Sequence, residues 1–211
     1  NCFILGTSNS VNKGYTKAIE RLGVNIEKNS SIGSSHSCLV PFRIKDIKSL
    51  NIDFLIVDFH VNEQISWKSG FDFTSITNDI FKYIMSFCYN KSAIPIFLIM
   101  PTKSVIEGKH NDNLIKKYID MLESIGLPYF NGYHIIENLS RLWDRPSASF
   151  FYDDSHLSLM PARLVGGLLA LKMKDLLLDK NSSKLRPTSA LANLRNFSYF
   201  KASAPSPNSE I

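Results

Sequence analysis

Phe54-Leu55-Ile56-Val57-Asp58-Phe59 is a run of aliphatic, β-branched and aromatic residues broken by a single acid, with no alternation of apolar and polar positions. A strand wetted on one face would alternate with period two, so this run reads as a strand covered on both faces, the pattern of a parallel sheet between helices. Residues 2–5 and 94–100 have the same character and complete a set of three central strands. Residues 24–27 and 127–130 are shorter and weaker, as outer strands are. Helical segments are expected at 13–22, 76–88, 113–125 and 159–178, the last preceded by Ser158 as N-cap. The order β, α, β, loop, β, α, β, α, β, α predicts a three-layer, flavodoxin-like α/β sandwich with a central parallel sheet of about five strands. Functional residues should collect where its strands end.

The 211 residues, 44% hydrophobic and 20% charged, fit one domain with a core of its own. The most apolar stretch, 164–178, is interrupted by Lys172, Lys174 and Asp175, short of the roughly 18–20 residues of a membrane-spanning helix. The net charge of +5 is unevenly placed, because residues 180–211 hold five basic residues and one acid, leaving 19 bases against 18 acids in residues 1–179. The body has no charge excess that calls for nucleic acid. The boundary at 179/180 also marks a change to a Ser- and Pro-containing basic tail, in which Leu191, Leu194, Phe197 and Phe200 form the only apolar pattern. Cys2, Cys38 and Cys88 are odd in number and widely spaced, which suits free thiols in a reducing, cytoplasmic compartment better than a disulfide framework. A start at Asn1 without Met reads as a trimmed product.

Four polar segments follow the strands. Gly6-Thr7-Ser8-Asn9-Ser10 leaves the first strand and enters a helix, so Ser8 sits on a tight turn where unpaired N–H groups face outward; the hydroxyls also suit simple capping. The loop Asn29-Ser30-Ser31-Ile32-Gly33-Ser34-Ser35-His36-Ser37 can present backbone N–H groups to an oxyanion, or be a plain surface turn. The third strand in chain order, residues 54–59, runs into His60-Val61-Asn62-Glu63, where the Asn62 amide can aim into the same crevice. Before the last helix, Asp153-Asp154-Ser155-His156 sets a carboxylate three residues from an imidazole, a spacing that lets one orient the other.

In this order, and each after the expected strand, the four segments resemble the four blocks of the SGNH (GDSL) hydrolase superfamily, over about residues 2–178. The resemblance implies Ser8 as nucleophile, His156 as base and Asp153 as its orienter, with Ser8 N–H, Gly33 N–H and the Asn62 side chain as oxyanion hole. It implies hydrolysis or transfer of a short acyl ester, most simply acetyl, on a small molecule or carbohydrate, as an esterase or O-acyltransferase, with no cofactor and no metal. The sequence departs from the blocks at Thr7, where Asp is usual, at His60, where Gly is common, and at Glu63, which replaces Asp. A side chain at 60 restricts the φ angles that glycine allows. His60 is a candidate second polar group in the crevice or a hydrogen-bonded structural histidine, and Tyr152, Phe59, Trp67 and Phe151 are candidate platforms for a sugar or core residues. Other readings stay open: a flavodoxin-like module whose first loop cradles a phosphate or flavin, a catalytically silent glycan-binding domain, and a metal site using His36, His60 and His156.

Overall fold

The computed structural model describes residues 1–182 apart from 13 and 48–50, so the expectations for the tail beyond Ser182 lie outside the described residues. In chain order the elements are β1 (Cys2–Gly6), α1 (Ser8–Val11), α2 (Tyr15–Arg21), β2 (Ile26–Asn29), α3 (Val40–Arg43), β3 (Phe54–Asp58), α4 (His60–Lys68) and α5 (Thr74–Lys91). They continue with β4 (Ile94–Ile99), α6 (Lys103–Ile106), α7 (Asn113–Ser124), β5 (Tyr129–Asn131), α8 (Gly132–Trp143) and α9 (Leu159–Ser182). The five strands pair in parallel in the order β2-β1-β3-β4-β5, which is the flavodoxin-like order, and the parallel five-stranded sandwich is the one expected from the sequence.

The unbroken apolar runs divide by period two between the faces of the sheet. Cys2, Ile4, Phe54, Ile56, Ile96 and Leu98 pack towards α2 and α9, whereas Phe3, Leu5, Leu55, Val57, Phe97 and Ile99 pack towards α3, α5 and α7. On the second face α5 presents Ile80, Phe81, Ile84 and Cys88, one stripe at helical spacing. On the first, α9 lies directly on α2: a methyl on Gly166 would sit 2.2 Å from the Tyr15 carbonyl oxygen.

Several elements differ from the sequence expectation. The outer strand β2 lies two residues later than predicted, because an edge strand with exposed Glu27, Lys28 and Asn29 has little apolar pattern to locate it. Residues 60–68 form helix α4, which was not expected, since its buried residues His60, Asn62, Glu63 and Gln64 are polar and Val61 alone makes no apolar period. Helix α8 is the third difference, with Asn131 Oδ1 capping the Tyr133 N–H. Helix α9 also runs four residues beyond the predicted end.

The tight α2–α9 crossing yields a prediction. Gly166→Ala gains about 1 kcal/mol of helix propensity but forces a methyl into fixed backbone, a cost of about 1–3 kcal/mol or more. Thermal and urea unfolding should show net destabilisation, while an unchanged midpoint would contradict the packing described.

Candidate active site

Neighbouring β1 and β3 send the chain away in opposite directions at their carboxyl ends, which opens a crevice there. Ser8, the first residue of α1, stands at this edge. Its Oγ lies 2.8 Å from His156 Nε2, and His156 Nδ1 lies 2.9 and 2.8 Å from the two Asp153 carboxylate oxygens. A carboxylate only accepts, so Nδ1–H donates to Asp153 and Nε2 is left to accept from Ser8. Asp153 Oδ1 also takes the Ser155 and His156 N–H groups at 2.8 Å each. Partial burial pushes the Asp153 carboxyl up, but the hydrogen bonds from the His156 ring and the Ser155 N–H outweigh it and hold the group below its ordinary value.

The histidine loop is built to stay in place. Phe151 bridges Leu157, Tyr152 N–H donates to His156 O at 2.8 Å, and Ser158 N–H donates to Phe150 O at 2.8 Å. Its next residue, Asp154, accepts from Ser104 N–H at 2.8 Å and pairs with Lys68 at 3.2 Å, tying the loop to α6 and α4. Asn9 in α1 donates from Nδ2 to Ser155 O at 3.1 Å, joining the loop to the Ser8 turn. Thr7 starts α1 with no side-chain cap bond, so the capping role open to these hydroxyls is not the one Thr7 plays.

The other two segments reach the same edge. Asn62 is buried on α4 and donates from Nδ2 to Ser35 O at 2.8 Å, while Ser35 Oγ donates to Ile32 O at 2.7 Å and lies 3.3 Å from Gly6 O. Ile32 N–H also reaches Gly6 O, at 3.0 Å. The loop carrying Gly33 is thereby fastened to the residue two before Ser8, with Gly33 exposed and Ser34 at a φ of 56°. Ser8 N–H, at the first helical position, has no acceptor within its own helix.

His60 corrects the sequence reading: it is fully buried against the rings of Tyr118 and Tyr133, with Nδ1 3.2 Å from Met100 O, and presents nothing to the crevice. Burial lowers it to about 4, so it stays neutral. The strain expected from a side chain at this position is absent, because residue 60 opens a helix and no residue from 59 to 63 has a positive φ. Of the aromatics, Phe59 is buried, whereas Tyr152 is 85% exposed beside a groove of about 470 Å³ that Asn9, Asn12, Met100 and His156 help line. The groove runs along the histidine side of the Ser8–His156 pair; Ser8 itself is not part of its wall. The histidines considered for a metal do not meet, since His36 Nε2 pairs with Ser66 Oγ at 2.6 Å, His60 is enclosed and His156 joins Ser8.

Several residues at the site escaped the sequence reading. Arg43 lies buried beneath the Gly33 loop, its guanidinium 3.4 Å from Ser35 Oγ and from Gly6 O and over the Phe59 ring. Glu63 is buried and accepts from Ser37 N–H at 2.9 Å. Asp58, at the end of β3, is fully buried and accepts from Ser10 Oγ at 2.7 Å. Nothing local in the sequence marks the Arg43 contacts; for Asp58 the signal was an acid inside an otherwise apolar strand.

Sheet order and crevice together define an α/β sandwich whose polar residues gather at the β1/β3 switch point. No family model matches the sequence, and a search of curated proteins finds no match. Among solved structures, LAE5, an α/β hydrolase enzyme from the metagenome of Lake Arreo, Spain, is similar with a TM-score of 0.65 at 12% identity, over 82% of this chain and 94% of that one. A catalytic mutant of Axe2, an acetylxylan esterase from Geobacillus stearothermophilus, gives 0.62 at 12% identity over 82% and 92%. A member of the lipolytic G-D-S-L family from Veillonella parvula gives 0.59 at 11% identity over 81% and 96%. This chain shares its fold with these solved hydrolase and esterase structures.

Burial pushes the Asp58 and Glu63 carboxyls up to about 7 each, against an ordinary value near 4. Between about pH 4 and 7 the folded chain therefore binds more protons than the unfolded one, and their contribution to stability is lost as pH rises through 7. Urea midpoints should fall between pH 5 and 8, and Asp58→Asn should flatten that fall by about half, since Glu63 remains. An undiminished slope in the variant would show that Asp58 titrates normally.

Proposed function

We propose that this chain is a serine esterase that removes a short acyl group, most simply acetyl, from a hydroxyl of a carbohydrate or other small molecule. The observation that carries the reading is the continuous Ser8–His156–Asp153 chain, with both hydrogen bonds within 2.9 Å and the tautomer set by the carboxylate. A serine hydroxyl is a weak nucleophile at neutral pH and needs such a base within reach.

In the first half-reaction Ser8 Oγ forms a bond to the ester carbonyl carbon while its proton passes to His156 Nε2. Negative charge gathers on the former carbonyl oxygen. Ser8 N–H, the Gly33 loop and the second N–H of the Asn62 amide are the donors assigned to it, each worth about 3 kcal/mol in such sites. His156 then returns the proton to the departing alkoxide as the carbon–oxygen bond breaks, and the acyl group remains on Ser8. Water repeats the sequence in reverse and releases the acid; a sugar hydroxyl in its place makes the same machinery an O-acyltransferase. Asp153 stays ionised throughout and stabilises the imidazolium.

Support for an acyl ester as substrate comes from the neighbours of like fold, among them acetylxylan esterases. The exposed Tyr152 ring and the Asn9 and Asn12 amides beside the histidine give the groove both an apolar platform and hydrogen-bonding groups, the mixture a sugar presents in return.

Ester cleavage, followed with an acetylated oligosaccharide or a chromogenic acetate, tests the reading. Ser8→Ala should lower turnover by roughly a million-fold, as triad losses do. Asn62→Ala should cost about a hundred- to a thousand-fold in kcat with KM little changed. Wild-type rates in the Ser8 variant would remove the nucleophile assignment; a change confined to KM would remove Asn62 from the oxyanion hole. Product analysis with a competing sugar acceptor separates hydrolysis from transfer.

A further inference from the structure

Helix α1 is a single turn of four residues, Ser8–Val11, ending at Asn12. So short a helix cannot hold its own geometry, because the first turn fixes several backbone dihedrals for very few hydrogen bonds. The position of the Ser8 hydroxyl must come from what the neighbouring side chains grip. Successive helical residues point about 100° apart, and the three at the start of this turn reach two separate places: Ser8 and Asn9 reach the histidine loop, at the His156 ring and the Ser155 carbonyl, and Ser10 reaches Asp58 at the end of β3.

The Ser10 anchor is the buried one. Ser10 Oγ lies 2.7 Å from Asp58 Oδ2 and 2.5 Å from the Tyr15 hydroxyl, and all three residues are at most 1% exposed. When Asp58 is ionised, Ser10 donates to it and accepts in turn from Tyr15; when the carboxyl is protonated, its O–H can donate to Ser10 and the chain runs the other way, and in either state Asp58 is tied to the turn. Gly6 makes the approach possible: a Cβ at that position would stand 2.0 Å from Ser10 Oγ and 3.2 Å from Asp58 Cβ. Asp58 Oδ1 has no hydrogen-bond partner, so the fold keeps a costly, half-satisfied carboxyl under the turn where an apolar residue would pack at less cost.

We infer that Asp58 is a positioning residue: through Ser10, backed by Tyr15, it holds the α1 turn so that the Ser8 hydroxyl meets His156. This rests on the reading of Ser8 as nucleophile. Asp58 touches no reacting atom, and its effect is confined to the alignment of Ser8. Tyr15 also lines the groove beside His156, so the same chain links that wall to the nucleophile turn. Misalignment by a fraction of an ångström to an ångström costs up to about a hundred-fold in rate while leaving ground-state binding alone.

The test measures hydrolysis of p-nitrophenyl acetate and the rate of covalent labelling of Ser8 by a serine-directed phosphonate. It compares the wild type with Ser10→Ala, Tyr15→Phe, Asp58→Leu and Asp58→Asn, each checked for a folded state by its unfolding midpoint. Ser10→Ala and Asp58→Leu should lower kcat and the labelling rate together by about 10- to 100-fold, with KM within about three-fold of wild type. Asp58→Asn, which keeps an oxygen to accept from Ser10, should stay within about three-fold, and Tyr15→Phe should fall between. Should Asp58→Leu fail to fold, Ser10→Ala decides alone, since it deletes one atom. Wild-type labelling by the Ser10 variant, or a loss seen only in KM, overturns the proposal and leaves Ser8 as nucleophile. An unlabelled Ser8 in the wild type overturns the nucleophile reading and this inference with it.

Discussion

The parallel pairing of β1 with β3, in the register that sets Gly6 beside Asp58, is the constraint on which the rest of the molecule depends. It brings the carboxyl ends of two strands, 52 positions apart in sequence, to one edge of the sheet. Ser8 follows β1 by two residues and Asn62 follows β3 by four. Because the chain leaves these strands towards opposite sides, the edge between them is a gap that helices do not fill. A slip of one residue would turn Phe54 and Ile56 from one helical layer to the other and separate Ser10 from Asp58.

Around that gap the protein buries groups that hydrophobic packing alone would reject. Asp58, His60, Glu63 and Arg43 are all at most 9% exposed, and each reaches backbone or a hydroxyl on the loops that form the crevice. Burial raises both carboxyls and lowers the imidazole, so the three titratable groups are driven towards neutrality, while Arg43 keeps its charge against the Ser35 hydroxyl, the Gly6 carbonyl and the Phe59 ring. Such an arrangement costs stability and gives rigidity to loops that would otherwise be free. His156, by contrast, is partly exposed at the crevice and meets Ser8.

Low sequence identity with structures of the same fold is consistent with this division of labour. The apolar layers accept many side chains of similar volume, whereas the crevice needs a hydroxyl, an imidazole and a carboxylate within hydrogen-bond reach of one another. The departures at Thr7, His60 and Glu63 fall on residues that are buried, and Ser8, His156 and Asp153 stand within hydrogen-bond reach of one another beside them.

The central strands and the long helices were legible because burial on both faces, or on one helical stripe, writes itself as an apolar run or a 3.6-residue period. The Ser8 turn and Asn62 were legible as polar residues just after such strands, and the Asp153–His156 pair as polar residues just before the last helix. Helix α4 was not, since its inward face is His60, Asn62, Glu63 and Gln64, and the exposed edge strand β2 carried too little pattern to fix its limits. His60 could not be assigned from sequence, because a polar side chain after a strand points to the crevice or to the core with equal ease. Only the tertiary structure decided that His60 is enclosed by Tyr118 and Tyr133, that Arg43 and Asp58 lie beneath the crevice, and that Ser8 and His156, 148 residues apart, stand 2.8 Å from each other. Periodicity reports how much of each residue is covered; contacts between distant segments depend on strand order and register, which no local pattern records.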